Sequence, residues 1–403
     1  MRMNKKKEMV PKLRFPKVSN SCWGITRLNE LADKITERNK GDDISRVFTN
    51  SAIEGVVDQE EYFDRNIANK NNLANYFIVE KGDYVYNPRI STTAPVGPIS
   101  KNKLGIGVMS PLYTVFRFKN KKNDFYEQFF LTNLWHAYIK SLSNTGARHD
   151  RITISVDNFM KMPLPYTSPE EQQKIADCLS SIDELIDAES RKLKALEKYK
   201  KGLMQKLFPA EGKTLPEWRF PESQEYSGWT VSKLGDLCNI TTGKLDANAM
   251  VQNGKYRFYT CAKEFFQIDK YAFDTEALLI SGNGANVGYI HYYKGKFNAY
   301  QRTYVLDQFC EDIHYVKYFL ERNLARRINA EKNEGNTPYI VLKTLTDMNV
   351  FHPKGLNEQQ KIADCLSEAD VMIKEQYNKV KQLKIHKKGL MQGLFPSLEE
   401  ADE

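Results

Sequence analysis

Two stretches of the chain carry a long helical rhythm of apolar positions. The first runs Ile175, Leu179, Ile182 and Ile186, then Leu193, Leu196, Leu203 and Leu207. The second runs Ile362, Leu366, Ala369 and Ile373, then Val380, Leu383, Leu390 and Leu394. Steps of four and three, sustained over several heptads, put these side chains on one seam of a helix that needs a helical partner. Ser168-Pro169-Glu170-Glu171 opens the first helix with a Ser N-cap, a Pro at the first helical position and a Glu placed to close a capping box. Phe208-Pro209 and Phe395-Pro396 end the two helices. Polar residues interrupt both seams in the same register: Glu189 and Gln376, then Lys200 and Lys387. Such breaks either fix register and partner or mark solvated, frayed spots.

The two rhythms are copies of one another. Between Glu170–Pro209 and Asn357–Pro396, 24 of 40 positions are identical at a constant offset of 187. A weaker echo precedes each copy: Arg14-Phe15-Pro16 matches Arg219-Phe220-Pro221, and Trp23, Leu28 and Leu31 match Trp229, Leu234 and Leu237. Two helices with matching seams in one chain pair most simply with each other. An antiparallel pairing of duplicated modules predicts a pseudo-twofold molecule. The second helix begins Gly355-Leu356-Asn357-Glu358 and lacks the Ser-Pro cap, so its first turn is expected to be less sharply fixed.

Between the helices, period-two and short apolar runs predict strands. In the region 20–166 these are Asp83–Tyr86 and Tyr113–Phe118, separated by a loop at Asn87–Pro98 and followed by a helix from Asp124 to Ser141. In 210–353 they are Ala277–Ile280 and Tyr289–Tyr293, flanking the glycine loop 281–288. A Lys294-Gly295-Lys296 turn, a strand Tyr300–Leu306 and a helix Asp312–Ile328 follow. The class expected is α+β: two globular mixed α/β domains joined by two long helices in an antiparallel coiled coil. Its parts are a basic segment 1–19, a globular domain 20–166, a helix 167–209, a second domain 210–353, a helix 354–396 and an acidic tail 397–403.

Composition narrows the function classes. No apolar run approaches the roughly 20 residues of a membrane span, and the basic N-terminus has no apolar core after it, so a cytoplasmic protein is expected. Six scattered cysteines, none in a C-x-x-C pair, argue for free thiols rather than disulfides or zinc. The net charge of +8 permits nucleic acid without requiring it. Residues 1–19 hold seven Lys/Arg against Glu8, which suits either a solvated tail or a phosphate-contacting arm. The glycine spacing at 282–288 is not that of a dinucleotide loop, and no G-x-x-x-x-G-K-[ST] loop occurs. His residues are too sparse to suggest a nucleophile–base pair. Asn87-Pro88-Arg89 lacks the second proline and aromatic of an amino-methyltransferase motif, so no catalytic residue is assigned.

What remains is hydrogen-bonding chemistry suited to base edges, Arg for guanine and Asn or Gln for adenine. The second domain offers Asn283, Asn286, Gln301 and Arg302. The first offers Asn87, Arg89, Ser91, Thr92 and Thr93, with Arg148 and His149 after the helix. Lys101, Lys103, Lys244, Lys294 and Lys296 suit phosphate contacts, which position without specifying. A helix of 168–207 is about 60 Å long, more than one ~35 Å turn of duplex.

The chain resembles the specificity subunits of type I restriction–modification systems over nearly its whole length. The resemblance rests on Glu171-Gln172-Gln173-Lys174-Ile175-Ala176 and its copy at 358–363, on the Lys-Lys-Gly-Leu-Met-Gln endings at 200–205 and 387–392, and on the repeat layout. It implies a non-catalytic subunit with two target-recognition domains, each reading half of a split site on double-stranded DNA, and spacer helices that dock two methyltransferase subunits. Restriction/translocase subunits would join for cleavage. It also implies that this chain holds no cofactor, S-adenosylmethionine and ATP belonging to the partners. A coiled-coil scaffold without DNA recognition would explain the heptads, but not two divergent domains in a common frame.

Overall fold

The computed structural model describes residues 10–16, 23–41, 43–63, 70–142, 144–145, 150–224, 228–331 and 339–397. The chain divides into two compact units, Met1–Ala188 with Val380–Glu403 and Glu189–Lys379. Each unit therefore holds one half of each long helix, Pro169–Leu207 and Leu356–Leu394.

In the first unit an antiparallel sheet runs in the order Ala32–Lys34, Thr114–Phe118, Tyr84–Tyr86, Ile99–Lys101. Its aromatic face, with Tyr84, Phe116 and Phe118, packs on the helix Asp124–Phe130. The same core takes Ile175 and Leu179 from the start of the first long helix and Leu394 and Phe395 from the end of the second. Those two helix halves therefore run antiparallel. The second unit mirrors this plan: a sheet ordered Asn239–Thr242, Thr303–Asp307, Phe273–Ser281, Ile290–Ala299, Tyr256–Tyr259, Phe266–Ile268 packs on the helix Ile313–Glu331. Here Leu203, Leu207 and Phe208 join Ile362, Ala363 and Leu366 in one core.

The copied contacts are close to identical. Gly24–Arg27 pairs with Pro163–Tyr166, and Trp229–Lys233 with Asn349–Pro353. Leu28 N–H donates to Met162 O, and Leu234 N–H to Met348 O, both at 2.9 Å. Phe395 packs on Phe125 and Phe129, as Phe208 does on Tyr315 and Phe319.

The polar interruptions of the seam are register locks, not frayed spots. Lys387 Nζ reaches Asp183 at 2.6 Å in the first unit, and Lys200 Nζ reaches Asp370 at 2.7 Å in the second. Gln376 Nε2 donates to Glu189 Oε2 at 2.6 Å and to its carbonyl at 2.9 Å, and Lys379 lies 2.6 Å from the same carboxylate. A one-residue slip would strand each of these groups, which is how polar seam residues select a register.

The Arg-Phe-Pro echo closes the frame. Arg14 forks onto the carboxylate of Glu171 at 2.9 and 2.8 Å, and Arg219 onto that of Glu358 at the same distances. Glu171 is 1% exposed and Glu358 6%. The neighbouring glutamine of each motif reaches back to the incoming strand: Gln172 Nε2 donates to Thr167 O, and Gln359 Nε2 to Pro353 O. Gln359 Oε1 also accepts from Asp312 N–H, so the uncapped second helix is pinned in its first turn by side chains. In the first helix Ser168 Oγ accepts from Glu171 N–H as an N-cap should, while the Glu171 carboxylate goes to Arg14 and Thr167.

Three local expectations are corrected. The stretch 124–141 is two helices, Asp124–Phe130 and His136–Leu142, because Thr132 Oγ1 and Trp135 Nε1 take the carbonyls of Phe129 and Phe130. Lys294-Gly295-Lys296 is no turn: the strand continues through it, Gly295 at φ +132 facing Thr275. The turn lies instead at 300–302, and the strand after it begins at Thr303. The cysteines at 178, 238, 261, 310 and 365 are free, whereas Cys22 and most of the basic N-terminal segment lie outside the described residues. Among the described residues, no helix is long and apolar enough to cross a membrane.

Truncating Glu358 to Ala leaves the Arg219 guanidinium without its carboxylate, and should lower unfolding free energy by about 3 kcal/mol. Urea titration of the purified chain checks this, and a loss under about 1 kcal/mol would show that the ion pair does not hold the fold. Conversely, Gly202 and Gly389 sit inside helices where an added Cβ meets nothing within 4 Å. Gly202→Ala and Gly389→Ala should each raise stability by about 1 kcal/mol in the same titration.

Candidate nucleic-acid interface

In the first unit the candidate residues surround the loop 87–98. Asn87 brackets it: the side-chain amide donates to Asn50 O at 2.9 Å, while Oδ1 accepts from Arg89 N–H at 3.0 Å. Gly97 closes the loop at φ +80, where a Cβ would lie 2.0 Å from Asn87 O. Ser91 Oγ accepts from Ala94 N–H and meets Thr93 Oγ1 at 3.1 Å, so it shapes the turn. Thr92 and Thr93 are exposed. Arg89 is 63% exposed and only loosely paired, 3.5 Å from Asp150. Its backbone faces Arg151 in an antiparallel bridge.

The two lysines of this unit are held elsewhere. Lys101 is 13% exposed, sits 2.7 Å from Asp124 and lies over the Tyr84 ring. Lys103 meets Glu127 at 2.5 Å. Both cations thus face carboxylates on the helix Asp124–Phe130. A cleft of about 650 Å³ lies between this helix and the loop, lined by Thr93, Gly97, Lys101, Lys103, Leu131 and His136. Burial, with Lys140 nearby, holds His136 below its ordinary range, so its ring is neutral at pH 7. Arg148 and His149 lie outside the described residues.

The second unit gathers five of its seven candidates at one end of the sheet. The loop 282–288 is closed by Gly288 N–H donating to Ser281 O, with Gly288 at φ +82. Asn286 Nδ2 donates to Cys261 O at 3.0 Å, tying the loop to the segment after Tyr256–Tyr259. Gly282 N–H donates to Arg302 O at 2.8 Å, and Gln301 N–H to Leu245 O at 2.8 Å. Gln301 Nε2 reaches Asp246 at 2.9 Å. Lys244 and Arg302 are exposed, and neither makes a side-chain hydrogen bond or ion pair among the described residues. Asn283 forms a backbone bridge with Tyr339. Lys294 and Lys296 are not part of this group. They stand along the strand Ile290–Ala299, near Glu276 at 3.1 Å and Asp274 at 4.0 Å.

Reading the sequence misses Arg151, Tyr339 and the segment Thr260–Lys263, all drawn to these loops by pairing that has no local signal. His291 Nε2 lies 2.9 Å from Ala262 O, so the carbonyl requires that nitrogen to carry the proton. Burial lowers the His291 pKa and keeps the ring neutral. Both ends therefore offer amides, hydroxyls and cations.

One unexpected constellation lies elsewhere. Ser232 Oγ is 3.1 Å from His352 Nε2, and His352 Nδ1 is 3.6 Å from Glu311. His352 is only 4% exposed, and Glu311 accepts from Gln359 at 2.6 Å, so the trio is a packed lock beneath the helix start. Among the described residues no group of His, Cys, Asp or Glu could hold a metal ion.

Comparison with known proteins gives one consistent answer. The model of the type I restriction modification DNA specificity domain matches residues 20–198 and 226–382. The specificity subunit of the type I restriction enzyme EcoDI of Escherichia coli is 42% identical over 139 residues, 34% of this chain and 30% of that protein. A putative type I specificity subunit of Mycoplasma genitalium is 23% identical over 261 residues, 61% of this chain and 65% of the relative. These alignments thus span under two thirds of each relative's length. In fold, the chain is similar to the crystal structure of a type I restriction–modification S subunit from M. genitalium, with a TM-score of 0.65 and 17% identity, covering 97% of this chain and all of that one. It is also similar to a chain from a study of complex assembly and conformational transition of the type I system, with a TM-score of 0.54 and 16% identity over 96% and 99% of the two chains. The protein belongs to the type I restriction–modification DNA specificity family.

Proposed function

We propose that this chain is the sequence-reading subunit of a type I restriction–modification complex. It binds a bipartite site on double-stranded DNA, one half through the end of each unit that carries the loops described above. The carrying observation is that two units built on one backbone plan present different side chains at those loops. A common frame with unlike chemistry suits two different half-sites, whereas a scaffold has no use for the difference.

Catalysis would fall to the partner subunits. Two methyltransferase subunits would dock on the paired helices, carry S-adenosylmethionine and modify adenine at N6. Restriction/translocase subunits would bring ATP and cleavage. This chain's own residues would hold the duplex in place while a partner turns the target base out of the stack. Exposed Lys244 and Arg302 suit phosphate or base contact, while Lys101 and Lys103, already facing carboxylates, would contribute little to affinity. The site of action is the cytoplasm.

The test is a map of N6-methyladenine from cells expressing this chain with its methyltransferase subunit. A bipartite motif that disappears when this chain is omitted is the expected result. Replacing residues 219–353 by the corresponding region of another family member should change one half of the motif and leave the other. Methylation that persists unchanged without the chain, while the complex still forms, would favour the scaffold reading.

A further inference from the structure

The loops of the two units can be superposed hydrogen bond by hydrogen bond. In the first unit Tyr86 pairs with Thr114 and Ile99; in the second Ile280 pairs with Tyr304 and Ile290. Asn87 N–H donates to Pro98 O, as Ser281 N–H does to Tyr289 O. One residue further, Pro88 O accepts from Ile152 N–H at 3.0 Å, and Gly282 O accepts from Ile340 N–H at 2.7 Å. The next residue is Arg89 in one unit and Asn283 in the other, each in an antiparallel bridge, with Arg151 and Tyr339 respectively. These two residues occupy the same place in the same backbone frame.

Most neighbouring polar side chains are already engaged. Asn87, Asn286 and Gln301 each donate their amide within the chain, and Ser91 holds its own turn. Asn283 makes no side-chain hydrogen bond among the described residues. Among the described residues the Arg89 side chain has only the 3.5 Å contact to Asp150, an exposed pair of the kind that contributes little. Arg302, also uncommitted, lacks a polar counterpart: the turn residue matching it is Leu112, since Tyr113 N–H donates to Ser110 O as Thr303 N–H does to Tyr300 O.

We propose that Arg89 and Asn283 are the matched specificity positions of the two units, Arg89 selecting guanine in one half-site and Asn283 selecting adenine in the other. Arg forks onto the O6 and N7 of guanine, and Asn pairs with N6 and N7 of adenine, so an equivalent position with these two side chains reads two different bases. The assignment rests on the DNA-reading function proposed above. Because both backbones are pinned by main-chain hydrogen bonds, the side chain can change without moving the loop.

The test uses the full chain assembled with its methyltransferase subunits and a library of randomised duplexes, read by sequencing the methylated fraction. Arg89→Gln should weaken the preference for guanine at one position of one half-site about tenfold or more. Asn283→Arg should turn an adenine preference into guanine at one position of the other half-site. Each variant should leave the opposite half-site untouched, and Asp150→Asn should leave both unchanged. An unaltered motif in Arg89→Gln and Asn283→Arg overturns the assignment alone. Uniform loss across all sequences, with unchanged thermal melts, also overturns it, because that is the signature of phosphate contact. A wild-type complex with no sequence preference would remove the DNA-reading function and the assignment together.

Discussion

A carboxylate buried in the first turn of each long helix is the constraint on which the rest depends. Taking Glu171 or Glu358 out of water costs several kcal/mol unless a cation with matching geometry meets it. The forked guanidinium of Arg14 or Arg219 does so, and the hydrogen bond to Glu358 holds the Arg219 guanidinium above its ordinary pKa. Each arginine belongs to a segment that also crosses the far end of the other helix: Leu13 N–H donates to Gly393 O, and Trp218 N–H to Lys206 O. A single ion pair thus ties a helix start, a helix end and the entry to a globular domain. Buried ion pairs add little net stability, and their role here is to exclude other arrangements of the three segments.

The two copies solve the remaining contact differently, which shows how strictly the frame is kept. In the first unit the crossing residue is Leu13, and a Cβ on Gly393 would come within 2.5 Å of its side chain. In the second the crossing residue is Trp218 and the helix carries Lys206, whose ammonium lies 4.0 Å from the ring centroid. Bulk on the helix is tolerated where it makes a cation–π contact, and excluded where an aliphatic side chain fills the space. The backbone hydrogen bond is the same in both. The long-range geometry therefore survives changes of side chain, because main-chain groups and one ion pair define it.

What could be read from the sequence follows from the range of the interactions involved. The seams, the duplication and the antiparallel pairing were legible because heptad spacing is local and the copy doubles the signal. The Arg-Phe-Pro echo was visible, but its role was not, since Arg14 and Glu171 lie 157 positions apart. Nor could the sequence separate Asn283 from Asn286. Both sit in one glycine loop, yet only the second is tied to Cys261, on a strand connection outside the hairpin. The Lys294-Gly295-Lys296 error has the same origin: cross-strand Glu276 and Asp274 draw both lysines into a continuous strand, which the local turn signal cannot register.

The separation of frame from loop side chains has a thermodynamic basis. Hydrogen bonds accepted by the main-chain carbonyls of Gly282 and Pro88 do not depend on the side chains beside them. An exposed side chain such as Arg89 can be replaced at a cost within about 0.5 kcal/mol of stability. The buried groups that position those loops are not free in this way, because each has a partner whose loss leaves an unsatisfied charge or a cavity. Mutations therefore divide into two kinds: those at Arg89 or Asn283, which alter chemistry on an intact scaffold, and those at Glu171, Glu358 or the seam, which alter the scaffold itself. Under the proposed DNA-reading function, a subunit gains most when these two sets of residues do not overlap, and in this chain Arg89 and Asn283 take no part in the ion pairs that hold the frame.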